Sequence, residues 1–150
     1  MTVIRVKQGD LLQAPETIIA HQVNCFGAAG GLAYHVFKKW PTAEIDYQQL
    51  ITRTKDRPSA LLGMAQPTGG QPDGKIIVNL YGQYHPGQDF RPTALRMSLE
   101  NLAGFAKFMK ASVAMPYGIS CGICGGDWNE VRQIIEDTME GVDVTLYKLQ

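Results

Sequence analysis

A chain of 150 residues is the size of one domain, expected to run from 1 to 150, and can bury a full core between layers of secondary structure. Its 14 Lys and Arg balance 14 Asp and Glu with no basic stripe, which argues against nucleic acid and anionic membrane surfaces as partners. Neither a leader pattern nor a long uncharged apolar run is visible, and 3 cysteines fit free thiols better than a disulfide framework, so a cytoplasmic location is expected.

Thr2 to Lys7 alternates apolar and polar residues and reads as a strand, ended by Gly9-Asp10. Thr17 to Val23 is β-branched and apolar, as a central strand would be. Leu32, Val36, Phe37 and Trp40 then fall at helical spacing up to Pro41, and Ala43 to Lys55 carries a second helical pattern. Leu61 to Ala65 is expected as a short strand, and Pro67 to Gly74 as a turn. Ile76 to Tyr81 is a second buried strand. Thr93 opens the strongest helix, with Leu95, Leu99, Leu102, Phe105 or Ala106, and Met109 on one face. Ser112 to Met115 is a brief strand. Asp127 with Glu130 forms a variant capping box ahead of Val131, Ile134, Ile135 and Met139, and Val142 to Lys148 closes the chain as a strand. Alternating strands and helices imply an α/β fold, a sandwich with helices on both faces of the sheet.

The stretch Gln22 to Val36, QVNCFGAAGGLAYHV, turns a buried strand through glycines and alanines straight into a helix. Glycine lets backbone amides approach a ligand, and a helix N-terminus adds unpaired N–H groups and partial positive charge, so the turn suits a phosphate. It is neither a P-loop nor a G-x-G-x-x-G turn. A second glycine-rich loop, Pro116 to Gly126, also precedes a helix. Both follow strands, where ligands sit in such sheets. Two amide-bearing edges facing each other would suit a diphosphate.

Gly9-Asp10-Leu11, HQVNCFGAAGGLAYHVFKKWPTAEIDY, AMPYGISCGICGGDWNEV and VTLYKL together resemble the macro domain. The resemblance spans nearly the whole chain and implies a three-layer α/β/α sandwich with a mixed central sheet. It is closest to the branch holding the ADP-ribose 1''-phosphate phosphatases and the ADP-ribosyl-glutamate hydrolases, and GLAYHVFKKWPTAEIDY is most similar to the phosphatases, small phage-related ones included. On matching positions it implies that Asp10 accepts from the adenine amino group and that the Leu11 backbone touches the same base. Asn24 would bind the distal ribose, with Gly30 and Gly31 against that ribose and its phosphate. Gly118, Ile119, Ser120, Cys121, Gly122, Ile123 and Cys124 would wrap the diphosphate, and Leu149 would pad the adenine. The chain departs from the glutamate hydrolases, which carry a lysine where Gly82-Gln83-Tyr84 stands and an aspartate at the position of Cys124. It departs from the other hydrolase class at Leu32-Ala33-Tyr34, where that class has an aspartate.

His21 matches a histidine of the phosphatase branch and has the proton affinity a general acid or nucleophile needs, against the alternative of a buried neutral histidine. Asp127 is a second catalytic candidate whose capping role already accounts for it. His85 falls in a Pro/Gly loop placed to hang over the cleft, and its ordinary reading is an exposed loop residue; His35 on the first helix is structural. Cys121-Gly122-Ile123-Cys124 has C-x-x-C spacing, but zinc needs about four ligands and a redox pair would open a helix. The preferred reading is loop cysteines whose backbone binds. Trp128, Tyr81, Tyr84 and Phe90 are read as core or rim aromatics. The expected function is removal of the terminal phosphate from ADP-ribose 1''-phosphate, without cofactor or metal. The alternatives are a non-catalytic reader of ADP-ribose and a hydrolase of ADP-ribosyl esters on protein or nucleic acid, the one way nucleic acid would enter.

Overall fold

The computed structural model describes residues 4–149; the expected strand start at Thr2 and Val3 lies outside them. The strands are β1 (Ile4–Gln8), β2 (Ile18–Gln22), β3 (Ala65–Thr68), β4 (Ile76–Leu80), β5 (Val113–Pro116) and β6 (Val144–Lys148). They form one six-stranded mixed sheet in the order β1-β6-β5-β2-β4-β3. Every neighbouring pair is parallel except β3 on β4. The helices are α1 (Leu32–Lys39), α2 (Pro41–Arg53), α3 (Pro92–Met109) and α4 (Trp128–Thr138).

Side-chain alternation along β2 assigns the layers. Ile18 and Ala20 pack with Leu95, Leu99 and Leu102 of α3 and Val131 and Ile135 of α4. Ile19 packs on the other face with Val36 and Phe37 of α1 and Ala43 and Tyr47 of α2. The sheet is therefore buried on both sides, which is why its central strands read as continuous apolar runs. Each fully buried leucine of α3 contributes roughly 2 kcal/mol. Proline is the first residue of both α2 and α3, where its missing N–H costs nothing. Pro41 thus ends one helix and starts the next.

Two expectations are corrected here. The stretch expected as a strand at Leu61 to Ala65 instead begins with the end of a short 3-10 turn, Pro58–Leu61, and the strand comes later, at Ala65–Thr68. The expected turn at Pro67 to Gly74 accordingly loses its first two residues to β3. Pro67 is tolerated because β3 is the edge of the sheet, where a missing donor breaks no inner ladder. Among the described residues no helix is long and apolar enough to cross a membrane.

Candidate active site

The carboxyl ends of β2, β4 and β5 release three loops on one edge of the sheet, 23–31, 81–91 and 117–127. The first is built on Asn24. Its Oδ1 accepts from Phe26 N at 2.9 Å and Ala28 N at 3.3 Å, and its Nδ2 donates to Ala28 O at 2.7 Å. Below it the buried Tyr47 hydroxyl donates to Asn24 O at 2.7 Å and accepts from Gly27 N at 3.1 Å. Burial pushes the Tyr47 phenol above its ordinary range. Gly27 takes φ +82°, and a Cβ there would stand 2.8 Å from Gln48 Oε1, so glycine is required. Beyond this knot the N–H groups of Ala29, Gly30 and Gly31 find no acceptor among the described residues. Gly31 caps α1 without a side-chain hydrogen bond, leaving the open first turn of that helix beside them.

The second loop is tied by backbone bonds, Cys121 N to Gly118 O at 2.9 Å and Gly126 N to Ser120 O at 2.8 Å. Ser120 sits in the left-handed region at φ +67°, a conformation that costs a non-glycine residue free energy and persists because its surroundings hold it. Its hydroxyl donates to Gln22 Oε1, Gln22 Nε2 donates to Gln83 Oε1 at 3.3 Å, and Gln83 Nε2 donates to Gly87 O at 2.7 Å. One chain of amides thus runs beneath all three loops. The N–H groups of Gly122, Ile123 and Cys124 find no acceptor among the described residues.

Between the loops lies a cleft of about 310 Å³ lined by Gln22, Asn24, Ala29, Gly30, Gln83 and Cys124 among others, with no charged side chain in its wall. Ile123 is 74 % exposed. Its Cδ1 lies 3.9 Å from where a Cβ on Gly31 would stand, so the loops nearly meet across the cleft.

The remaining sequence candidates divide. Asp10 caps a one-turn 3-10 helix, Leu11–Gln13, accepting from Leu12 N at 2.9 Å. Leu11 is buried beneath it and Leu149 is 68 % exposed. Gly9 N donates to Lys148 O at 3.0 Å, joining the strand ends that carry Asp10 and Leu149. These residues share the loop edge of the sheet but are outside the cleft lining, as are Gly118, Ile119, Ser120, Cys121 and Gly122. Asn24 lines the cleft, yet its side chain is engaged within its own loop.

His21 is corrected. It shares the parity of Ile19 and so faces α1, 1 % exposed, with its ring edge-on to Phe37 and Nε2 at 2.7 Å from Asn79 Oδ1. Burial pushes its pKa down to about 4, against the rise caused by Asn79. A neutral imidazole sealed away from the cleft cannot pass protons to a ligand there. Asp127 is exposed and accepts from Glu130 N at 3.3 Å as the cap of α4, and it too is absent from the lining. Burial pushes the Cys25 and Cys121 thiols up to about 11, so neither carries a ready thiolate. Among the described residues no group of three His, Cys, Asp or Glu is placed to hold a metal ion.

Gln22 was missed from sequence as a site residue, and the loop expected over the cleft was not given its lining residues Gln83, Pro86 and Gly87. Gln22 and the loop from Gly82 to Arg91 supply the floor and third wall. The signal was available in β2: counting by two from Ile18 puts Gln22 opposite His21, toward the second loop.

No family model matches the chain. It is 26% identical over 96% of its length to an uncharacterized 17.5 kDa protein of Enterobacteria phage T4, covering 95% of it. It is 22% identical over 99% of its length to ADP-ribose 1''-phosphate phosphatase of Saccharomyces cerevisiae, covering 100% of it. Among solved structures, a macrodomain protein of Streptomyces coelicolor superposes with TM-score 0.80 at 29% identity, over 97% of this chain and 98% of that one. The macrodomain of Mycobacterium tuberculosis DarG gives 0.84 at 26% identity, over 97% of each chain. Thermosipho africanus DarTG in complex with ADP-ribose shares the fold, with TM-score 0.80 at 17% identity over 99% of this chain and 42% of that one.

Proposed function

Since the chain is a macrodomain, we propose that its cleft binds the ADP-ribose group and that the protein removes the terminal phosphate from ADP-ribose 1''-phosphate. The observation that carries the binding is the pair of facing backbone runs, Ala29 to Gly31 and Gly122 to Cys124, whose N–H groups lack acceptors. A pyrophosphate between them would take those donors, helped by the open first turn of α1. The adenine would then lie toward Asp10, Leu11 and Leu149, with Asp10 accepting from its amino group. The distal ribose would lie against Asn24, Gly30 and Gly31. Gly118 to Cys121 would shape the diphosphate loop from behind. Phosphate removal is supported by likeness to the yeast phosphatase along 99% of the chain, and backbone donors would stabilise charge on the departing phosphate.

A second reading, a non-catalytic reader of ADP-ribose, is favoured by the absence of any charged side chain from the cleft lining. Two measurements separate them. Calorimetry with ADP-ribose is expected to show saturable binding, and its absence at millimolar ligand would refute both. Incubation with ADP-ribose 1''-phosphate is expected to release inorganic phosphate; binding without release leaves the reader.

A further inference from the structure

The third loop carries a feature that neither the diphosphate grip nor the fold uses. His85 lies between the lining residues Gln83 and Pro86, with its ring flat on Phe26 at 5.2 Å and 5° and edge-on to Tyr84 at 4.6 Å. Phe26 projects from the first loop between the lining residues Asn24 and Ala28 and is 42 % exposed. The imidazole is therefore held where the first and third loops meet, beside the cleft and outside its lining.

Its backbone is fixed as firmly. Asp89 Oδ2 accepts from Tyr84 N at 3.1 Å and His85 N at 2.7 Å, while Asp89 Oδ1 accepts from Arg91 Nε at 3.1 Å. The Arg91 guanidinium lies 5.0 Å from the Tyr84 ring. Arg91 and Asp89 thus satisfy each other, and neither ring nitrogen of His85 has a hydrogen-bond partner among the described residues. An exposed imidazole with one face spent on stacking, both nitrogens open and the backbone pinned is a preset donor on a loop that borders a cleft with no cation of its own.

We propose that His85 is the specificity residue for a phosphomonoester on the distal ribose, its ring N–H donating to a terminal phosphate oxygen. The assignment rests on the ADP-ribose reading above and names what distinguishes the phosphorylated ligand from the plain one. A hydrogen bond to a phosphate dianion is charge-assisted, and gaining one is expected to favour the phosphomonoester by about tenfold.

The test is displacement of a fluorescent ADP-ribose, read in the first seconds after mixing with ADP-ribose or with ADP-ribose 1''-phosphate. The protein is expected to prefer the phosphomonoester by about tenfold. His85→Phe keeps the stack on Phe26 but removes both nitrogens, and should bring the ratio of affinities to about one. The matched change His35→Phe, at an exposed histidine of α1 whose ring meets Tyr34 rather than the third loop, should keep the preference. A His85→Phe ratio equal to that of the unaltered protein, or an unaltered protein without preference, overturns the assignment while leaving ADP-ribose binding intact. Failure to bind ADP-ribose at all overturns the cleft reading and this assignment with it.

Discussion

The two main loops face the same cleft but are held in opposite ways. The first, 23–31, is organised by side chains: Asn24 satisfies its own turn, and Tyr47 and Gln48 of α2 grip it from beneath. The second, 117–127, is organised by closeness of backbone. Gly126 donates to Ser120 O, and a Cβ at Gly126 would stand 2.7 Å from both that oxygen and Phe90 Cδ1. A loop with a polar hub fails when the hub is removed, whereas a loop built on close approach fails when atoms are added. Both leave amides open, so one requirement of a phosphate site has two physical solutions within the molecule.

Removing the hub should have the largest effect. Asn24→Ala loses the bonds to Phe26 N, Ala28 N and Ala28 O. At roughly 1 kcal/mol each, the variant should lose about 3 kcal/mol of stability. The free amides of Ala29 to Gly31 then lose their fixed direction, so ADP-ribose affinity should fall more steeply than for a change on the exposed face of α1. Urea midpoints and calorimetry on the same preparation check both parts. Unchanged affinity with lowered stability would show that the first loop keeps its shape without Asn24.

The same contrast explains what could be read from the sequence. The layers follow from apolar periodicity, whereas the strand order does not, and the two glycine loops follow from composition, because backbone approach leaves a residue-type signature. The polar hub does not. For Asn24 the resemblance implies a ligand contact, and an asparagine in a loop carries no mark of whether its amide also turns inward. For His21 the resemblance implies proton transfer and the residue type allows a buried neutral ring, and because β2 is buried on both faces the apolar run does not say which side the ring takes. The edge strand was misplaced because Pro67 and the following glycines look like a turn, and only the position of β3 at the sheet edge makes a strand there acceptable. The third wall is legible only as a Pro/Gly loop over the cleft, because Gln83 and Gly87 act through a chain of hydrogen bonds that begins on β2, far away in sequence.

The walls should also differ in their response to acid. His21 anchors the face of β2 beneath the first loop, and its partner Asn79 bonds onward to Ala43 O at 3.3 Å in α2. The folded protein keeps His21 neutral down to about pH 4, whereas the unfolded chain protonates it near 6.5. Below pH 6.5 the unfolded state therefore binds a proton that the folded state lacks, and this contribution to stability falls as pH drops toward 4. The loss between pH 6.5 and about 5 should be about 2 kcal/mol. Urea midpoints across that range should slope less in His21→Gln than in the unaltered protein. Parallel slopes would mean that His21 is not the group titrating.

The smallest effect is expected at the second loop, from a single added methyl. Gly126→Ala places its Cβ against Ser120 O, and backbone cannot swing aside as a side-chain tip can. Relief must come by moving Ser120, already at φ +67°, or by displacing Phe90 from its packing against the core. Overpacking of this kind costs about 1.5 kcal/mol. Moving Ser120 pulls its hydroxyl from Gln22, which breaks the amide chain at its first link and frees Gln83 from its place in the third wall. ADP-ribose affinity should therefore fall although Gly126 is outside the cleft lining. Gln22→Leu should weaken binding without the steric change, and combining the two should weaken it no further than the larger single effect, because residues in one network do not act independently. Additive losses would separate Gly126 from the chain and leave local crowding as its only role.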